Sequence, residues 1–325
     1  MTDGVTVHNG IAYANHDGVE LQGDFYLPKD AKAAPALVAV HGGGWIAGVR
    51  GAFQYWGPYL AARGIAVFAI SYRLATKTKT FPEAVQDVLA AVQFVRGKAS
   101  AFGLDPARIG LLGASAGAHL AALAALGGKK FLGVYPHDPF AATDASVKAL
   151  VGVYGVYDMY AMWCSLQVQD GRNSDNKVEK CIGAPPMANR QTYFDASPVS
   201  YATYANNGIG VLLATGTEDD LVDPKTQTEP FQLAVKQAGF FVRPCIVRRA
   251  ALLDERSDRG ARQPVRISGA ATDAVFGGEA VSAGLLRRWS PRKQGPSGSY
   301  DPALWRAADG RSSAAVTQGV RAPVV

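Results

Sequence analysis

The sequence predicts an α/β protein with a mostly parallel central sheet and helices on both faces. Short apolar runs of strand length alternate with helical stretches of 10–15 residues, which is typical of such a sheet. The 325 residues, of which 48% are hydrophobic and 18% charged, suffice for one large domain with a buried core. A Gly-x-Ser-x-Gly pentapeptide at residues 113–117 stands where an apolar run passes into an alanine-rich helical run.

Each element of this sheet has its own signal in the sequence. Two loosely alternating segments flank an Asn-His-Asp-Gly turn signal and predict a hairpin, with strands at 5–14 and 18–27. Continuous apolar runs predict buried strands at 36–40, 65–70, 109–112, 149–154 and 209–214, and a last strand is expected at 240–247. Apolar residues at helical spacing predict helices that begin at Pro82, at Ala118 and at residue 228.

The alternation of strands and helices lapses between about 157 and 207. Aromatic side chains stand among polar ones here, namely Tyr157, Tyr160, Trp163, Tyr193 and Phe194. An insertion of this length and composition after a sheet strand predicts a small cap. The alternative is an ordinary surface excursion packed by its own aromatic residues.

The net charge of +6 belongs entirely to the end of the chain. Residues 248–325 hold 13 basic and 7 acidic side chains, whereas residues 1–247 hold equal numbers of each. The end is also rich in Arg, Ala, Gly and Ser and lacks the alternation. We therefore expect a folded domain over 1–247 and a poorly ordered tail over 248–325. Nucleic-acid binding is not expected, because the body is neutral and the tail carries no recognised module.

Composition also indicates the class and location of the protein. No apolar run reaches the roughly 18 residues of a membrane span, and the first residues have neither a basic nor an apolar signal segment. Cys164, Cys181 and Cys245 are too few for a disulfide framework and show no metal-ligand spacing. We expect a protein of the reducing cytoplasm.

The pentapeptide Gly113–Gly117 places Ser115 on a tight turn from strand to helix. A side chain at either glycine would clash with the neighbouring strand or helix, so the turn requires small residues there for steric reasons. The N-terminus of the following helix favours developing negative charge. These features favour Ser115 as a nucleophile, and the alternative is a serine that caps the helix.

A second glycine-rich stretch, Gly42-Gly43-Gly44, follows His41 and a predicted strand. Three glycines let the backbone approach a ligand closely and turn its N–H groups towards the ligand. In acyl transfer such N–H groups form an oxyanion hole. The alternative is a plain tight loop.

In this order, the stretches His41–Trp45, Ser71–Leu74 and Gly113–Leu120 resemble the α/β-hydrolase esterases and lipases. The resemblance is to the carboxylesterases related to hormone-sensitive lipase and kynurenine formamidase. Gly216–Val222 resembles the acid turn of that group, and the resemblance covers about residues 5–247. It implies the α/β-hydrolase fold with a small cap, and hydrolysis of small-molecule carboxylic esters through an acyl-enzyme. It also implies that no cofactor is needed and that the chain forms a homodimer.

The resemblance also assigns roles to single residues. Ser115 would be the nucleophile, and the oxyanion hole would be formed by the backbone N–H groups of Gly43, Gly44 and Ala116. Asp219 would orient the catalytic histidine, because Val222 follows it at the family's spacing. Its two rivals for that role are Asp220 and Asp223. His119, one turn into the helix after the serine, is expected to be a packed or surface histidine.

The catalytic histidine itself is missing from the expected place. The family order is serine, acid, histidine, yet no histidine follows Asp219 among His8, His16, His41, His119 and His137. It should stand in a Gly-x-x-His turn near Ala251, where this chain has arginines and alanines. Without a base the serine hydroxyl stays protonated and weak. We therefore expect impaired activity, and the alternative is an inactive hydrolase-fold protein that binds an acyl ligand or a partner.

A one-base frameshift near codon 247 would explain both the missing histidine and the change in composition. Read one base later, the codons for residues 248–259 can spell Gly-Ala-Pro-His-Tyr-Trp-Met-Asn-Asp-Pro-Ile-Glu, which contains the family's histidine turn. The codons for 267–281 can spell an amphipathic closing helix and a stop. The alternative is a natural arginine-rich extension of the chain.

Overall fold

The structure is a computed structural model that describes residues 4–169 and 176–247. The predicted tail over 248–325 and the expected histidine position near Ala251 lie outside these ranges.

The described chain forms one eight-stranded sheet. Its strands are β1 (Val5–His16), β2 (Val19–Pro28), β3 (Ala34–Val40), β4 (Ala66–Ile70), β5 (Leu104–Ala114), β6 (Ala149–Val153), β7 (Gly210–Gly216) and β8 (Phe241–Val247). The order across the sheet is β1-β2-β4-β3-β5-β6-β7-β8. β1 pairs antiparallel with β2, and β2 pairs antiparallel with β4. The other pairs are parallel, so the predicted mostly parallel sheet is confirmed.

The helices occupy both faces of this sheet, as predicted. The α-helices are α1 (Trp56–Ala61), α2 (Glu83–Gly97), α3 (Ala116–Gly127), α4 (Met159–Gln169), α5 (Lys177–Ile182), α6 (Arg190–Asp195) and α7 (Thr228–Gln237). The position of β4 between two layers of helices explains why its sequence is a continuous apolar run. Phe68 and Ile70 join one core cluster with α2, α3 and α7, whereas Val67 and Ala69 join a second cluster with α1. A strand covered on both faces needs apolar residues at every position.

Two predicted elements can be compared closely with the observed ones. The hairpin turn falls where expected, with Asp17 and Gly18 at φ values of 52° and 80°. The strand expected at 109–112 was placed too short, because β5 already begins at Leu104, opposite Ala34 of β3. Residues 106 and 107 are exposed in this first part of β5, so its sequence lacks the apolar pattern that marks a buried strand.

Parallel pairing brings the carboxyl ends of four strands to one edge of the sheet. The glycine loop follows β3, Ser115 follows β5, Tyr154 follows β6 and the Asp219 turn follows β7. In open α/β sheets this edge is where ligands bind. Within the two described ranges, no helix is both long and apolar enough to cross a membrane.

Candidate active site

Ser115 occupies a strained turn between β5 and α3. Its backbone angles are φ 53° and ψ −122°, which a residue with a side chain adopts at a cost of about 1–3 kcal/mol. The turn is held by hydrogen bonds at both of its ends. The Ser115 amide donates to the Val153 carbonyl at 2.9 Å, and the Ser115 carbonyl accepts from the Ala118 amide at 2.9 Å. The hydroxyl makes no capping bond to α3, so Ser115 does not serve as a side-chain cap for this helix.

The two glycines that flank Ser115 are required by close backbone contacts. A Cβ atom added at Gly113 would lie 2.3 Å from the Gly117 carbonyl oxygen, and one added at Gly117 would lie 2.0 Å from the Val40 carbonyl oxygen. Neither clash can be relieved by turning a side chain. The predicted steric reason for the pentapeptide is confirmed.

The glycine loop lies directly against the serine. A Cβ atom added at Gly42 would be 3.3 Å from the Ser115 Cβ atom. Gly43 and Gly44 have φ values of 122° and 58°, which favour glycine. Their amides and the Ala116 amide donate no hydrogen bond to another group in the described chain. The amides expected to form an oxyanion hole therefore have their N–H groups available.

A chain of side-chain contacts fixes this loop to α3 and to the segment that precedes β7. The Trp45 Nε1–H donates to His119 Nδ1 at 3.0 Å, and His119 Nε2–H donates to the Ala196 carbonyl at 2.7 Å. Burial lowers the pKa of His119 to about 4. Both of its ring nitrogens are occupied and the ring is fully buried, so of the two expected placements, packed or at the surface, His119 takes the packed one. The positioning role of Trp45 was missed.

His41 is also buried and neutral. Its Nδ1–H donates to the Gly42 carbonyl at 2.8 Å, and its ring stacks on Tyr72 with centroids 4.4 Å apart. Burial lowers the pKa of His41 to about 4. The hydroxyl of Tyr72 donates to the His41 carbonyl at 3.0 Å, which fixes the start of the glycine loop.

Asp219 is the buried member of the three candidate acids. It is 6% exposed, and its Oδ1 atom accepts from the amides of Leu221 and Val222 at 3.1 and 2.9 Å. Burial raises the pKa of Asp219 above its usual value; these two backbone hydrogen bonds act in the opposite direction. Asp220 is exposed, and Asp223 accepts from the Lys225 amide at 2.9 Å in the turn before α7.

Tyr154 is a neighbour of this acid that sequence reasoning missed. Its φ is 38°, and its side chain is 2% exposed. Burial raises the pKa of the Tyr154 phenol, and the charge of Asp219 adds to that rise. Its only signal in the sequence is its place directly after β6.

These elements enclose one cavity of about 320 Å³. Ser115, Ala116, the glycine loop and Tyr154 line it together with Leu221 and Val222 of the Asp219 turn. Met162, Leu166 and Lys177, from the segment predicted as a cap, line it as well. A groove of about 660 Å³ between β1 and residues 134–140 contains none of the predicted site residues.

None of the five histidines serves the Ser115 hydroxyl as a base. His8 packs edge-on against Phe102, His16 lies between two aspartates, and His137 is exposed. Among the described residues, no side chain forms a hydrogen bond with the Ser115 hydroxyl. No group of three or more His, Cys, Asp or Glu side chains in that part of the chain could hold a metal ion.

Known proteins similar to this chain include named ester hydrolases. "Probable carboxylic ester hydrolase LipM" of Mycobacterium tuberculosis is 33% identical over 243 residues, 73% of this chain and 52% of the relative. "Esterase LipC" of the same organism is 32% identical over 213 residues, 64% of this chain and 50% of the relative. The chain thus spans about half the length of these curated relatives.

Solved esterase structures share the fold. An esterase from Thermogutta terrifontis with propionate bound has a TM-score of 0.65 at 23% identity, covering 90% of this chain and 98% of that chain. A bifunctional GH43-CE protein of Bacteroides eggerthii has a TM-score of 0.63 at 26% identity, covering 76% of this chain and 35% of that chain.

The family comparison covers the sheet except β1, β8 and the start of β2, and it includes all the residues that line the cavity. The BD-FAE family model matches residues 23–234, from β2 into α7. Since the match extends over more than half of the sequence and agrees with the fold of the solved esterases, the chain is an α/β-hydrolase of the BD-FAE family.

Proposed function

We propose that this domain is built to hydrolyse small-molecule carboxylic esters through an acyl-enzyme on Ser115. The observation that carries the proposal is the strained serine turn beside the available amides of the glycine loop, at the wall of a cavity. Strain of this kind holds a hydroxyl out of the sheet, and packing alone gives no reason to keep it.

The geometry supports the usual two-step course of acyl transfer. The Ser115 Oγ atom bonds to the ester carbonyl carbon while its proton passes to a base. The carbonyl oxygen becomes an oxyanion held by the Gly43, Gly44 and Ala116 amides, each contributing roughly 3 kcal/mol. The intermediate collapses, and the alcohol leaves with the proton. Water then hydrolyses the acyl-enzyme by the same steps and releases the acid.

Asp219 is the acid that we assign to orient the base. Its Oδ1 atom is engaged by two backbone amides, whereas its Oδ2 atom accepts no hydrogen bond from a described residue. An imidazole N–H directed at Oδ2 would find the acceptor that a catalytic histidine needs. Asp220 and Asp223 are less buried than Asp219, and among the described residues neither has its carboxylate held by two backbone amides in this way.

The segment over 157–207 is proposed to act as the cap. Its helix α4 contributes Met162 and Leu166 to the cavity wall, and α5 contributes Lys177. Its aromatic residues also pack among themselves and on the domain, as in the stacking of Tyr157 on Phe231 at 4.2 Å. A cap that lines the cavity would decide which esters enter.

The missing base limits this chemistry. No histidine follows Asp219, and no side chain in residues 4–169 and 176–247 binds the Ser115 hydroxyl, so this part of the chain offers the serine no positioned base. Loss of one triad member leaves a residual acceleration of roughly 10³–10⁴ over water, from the oxyanion hole and substrate binding. We therefore propose an esterase whose activity is impaired. The same observation favours the second candidate, a protein that binds acyl ligands without turning them over.

External imidazole tests the proposal directly. Hydrolysis of p-nitrophenyl butyrate is measured for the full chain and for Ser115→Ala, each with increasing imidazole. If Asp219 can orient a base, imidazole raises the rate of the wild-type chain along a saturating curve. The Ser115→Ala variant shows only the linear reaction of free imidazole with the ester.

Equal rates for the two chains at every imidazole concentration would overturn the esterase proposal. If the wild-type chain then binds butyrate, the acyl-binding candidate takes its place. An Asp219→Asn variant serves as a further control, because it should lower the saturating component while the serine remains in place.

A further inference from the structure

A lysine from the cap lies on the glycine loop of the cavity. A Cβ atom added at Gly44 would be 2.8 Å from Lys177 Cδ and 3.7 Å from both Cγ and Cε. The aliphatic part of Lys177 therefore lies on Gly44, one of the proposed oxyanion-hole residues. Lys177 also lines the cavity together with Ser115.

The rest of the cavity wall is largely apolar. Most of its large hydrophobic side chains come from the glycine loop, the segment after it and α4, namely Trp45, Ile46, Val49, Phe53, Met162 and Leu166. His41 lines it too and is neutral, because burial lowers its pKa to about 4. Among the described lining residues, Lys177 is the one that carries a permanent charge at neutral pH.

Lys177 is exposed, and its ammonium group has no partner in the part of the chain that the structure describes. Within the described chain it forms no hydrogen bond or ion pair, in contrast to Lys79 and Lys130, which pair with Glu83 and Asp195 at 3.1 and 2.6 Å. Stability of α5 gives no reason for a lysine at this place. It is the first residue of the helix, after the cap Asn176, where a positive charge is disfavoured.

We propose that Lys177 selects esters that carry a second, negatively charged group a few bonds from the ester carbonyl. The inference rests on the proposed function, because it uses Gly44 as part of the oxyanion hole. The apolar wall would take a hydrocarbon part of the substrate, and the ammonium would pair with the anion. Hemiesters of short dicarboxylic acids have this chemistry.

The test measures binding, so that it does not depend on turnover. The probes are N-hexylsuccinamic acid and its neutral isostere N-hexylsuccinamide, whose amide links resist hydrolysis. Both are titrated calorimetrically into the full chain, into Lys177→Met and into Lys177→Arg at low salt. Methionine keeps an aliphatic chain over Gly44 and removes only the charge.

We expect the wild-type chain to bind the acid about two- to fivefold more tightly than the neutral amide, because Lys177 is exposed and a solvent-exposed ion pair contributes little. The preference should persist in Lys177→Arg, vanish in Lys177→Met and weaken as salt is added. The matched control is Lys180→Met on the same helix, which does not line the cavity and should keep the preference.

Two results would overturn the inference. One is equal affinity of the wild-type chain for both probes, and the other is an unchanged preference in Lys177→Met. A failure of the proposed function shows differently, as the absence of Ser115-dependent ester turnover while the binding preference remains.

Discussion

The backbone at Ser115 holds a conformation that its side chain disfavours. The angles of φ 53° and ψ −122° are imposed by neighbours on both sides, since Gly113 and Gly117 touch backbone atoms and the Ser115 amide is bonded to Val153. The cost of about 1–3 kcal/mol is borne by the rest of the fold. The free-energy cost of this strain can therefore be measured by replacing Ser115 with glycine, which has no Cβ atom.

Ser115→Gly should therefore stabilise the protein. Glycine adopts the observed angles without strain, and after its larger unfolded-state entropy is subtracted we expect about 1 kcal/mol of added stability. Urea denaturation measures this gain. Ser115→Ala is the matched control, because it removes the hydroxyl and keeps the strain, so its unfolding free energy should stay close to that of the wild-type chain. A destabilised glycine variant would show that the serine is not strained.

Local sterics explain why parts of this site could be predicted from the sequence. The glycines around Ser115 and in the loop after β3 are required by contacts within a few residues, and their spacing is visible in the chain. The bonds from Trp45 to His119 and from His119 to Ala196 span 74 and 77 residues. No sequence pattern near Trp45, His119 or Ala196 indicates its hydrogen-bond partner, so these hydrogen bonds are seen only in the folded structure.

At the scale of elements, a buried charge network joins three separate parts of the chain. His16 ends β1, and its two ring nitrogens lie 2.7 Å from Asp87 on α2 and 2.8 Å from Asp138 in the segment before β6. Its ring also stacks on Tyr135, with centroids 3.7 Å apart. Arg73 donates to Asp87, Asp17 and Tyr135, so it supports the same three parts.

The charge state of His16 should make stability depend on pH. Burial disfavours the charged ring, but the hydrogen bonds and charges of Asp87 and Asp138 outweigh it and raise the pKa of His16 above its usual 6.5. A histidine whose pKa is higher in the folded state stabilises the fold fully below its unfolded pKa. This contribution is lost as the pH rises through the folded pKa, above 6.5.

His16→Gln should remove that dependence. At pH 6 we expect a loss of about 3 kcal/mol in unfolding free energy, because two charge-assisted hydrogen bonds disappear, one to the buried Asp87 and one to the partly buried Asp138. At pH 9 the difference from the wild-type chain should be smaller. Urea denaturation at both pH values measures it, and His137→Gln is the control, since His137 is exposed in the same segment. A loss of equal size at both pH values would mean that the charge of His16 contributes nothing.

The positions of the elements show which parts of the fold could be predicted from the sequence and which could not. The hairpin, the buried strands and the main helices follow from periodicity, because each buries its own apolar face. The start of β5 was missed, since the strand pairs with β3 at Leu104 and then only from Ile109 onward, and residues 106 and 107 between these points are exposed. The partner of His16 on the far segment, 122 residues away, could not be found from local pattern.

At the scale of the whole molecule, the described residues contain every part of the proposed site except the base. The serine, the glycine loop and the acid turn all precede residue 223, and the sheet continues to β8 at Val247. The position expected for the base, near Ala251, lies beyond β8 and outside the described residues. The predicted homodimer and cytoplasmic location are untested and stay predictions.

Restoring the reading frame should restore the activity. If the gene contains an open frame one base later across codons 245–282, the corrected chain gains a Gly-x-x-His turn after β8. A positioned general base raises the rate of ester hydrolysis by roughly 10²–10⁴-fold. The experiment is nucleotide sequencing of this region, followed by a p-nitrophenyl butyrate assay of the corrected chain.

Ser115→Ala in the corrected chain is the control and should abolish the gain. The closing helix should also raise the melting temperature, because Ile246 on the last strand is 63% exposed as the chain stands. If the alternative frame contains no histidine turn, the frameshift hypothesis is wrong and the arginine-rich end is the natural one.

The strain at Ser115 also bears on the history of the chain. In a protein that has long ceased to do chemistry, a glycine at this position would relieve the backbone strain and add stability. Selection would not oppose such a change, so it would be expected to spread. A serine that still bears the cost therefore agrees with a site that is in use or was in use until recently. If the frameshift hypothesis holds, the persistence of this strained serine without its base means that the frameshift is young compared with the time needed to erode an active site.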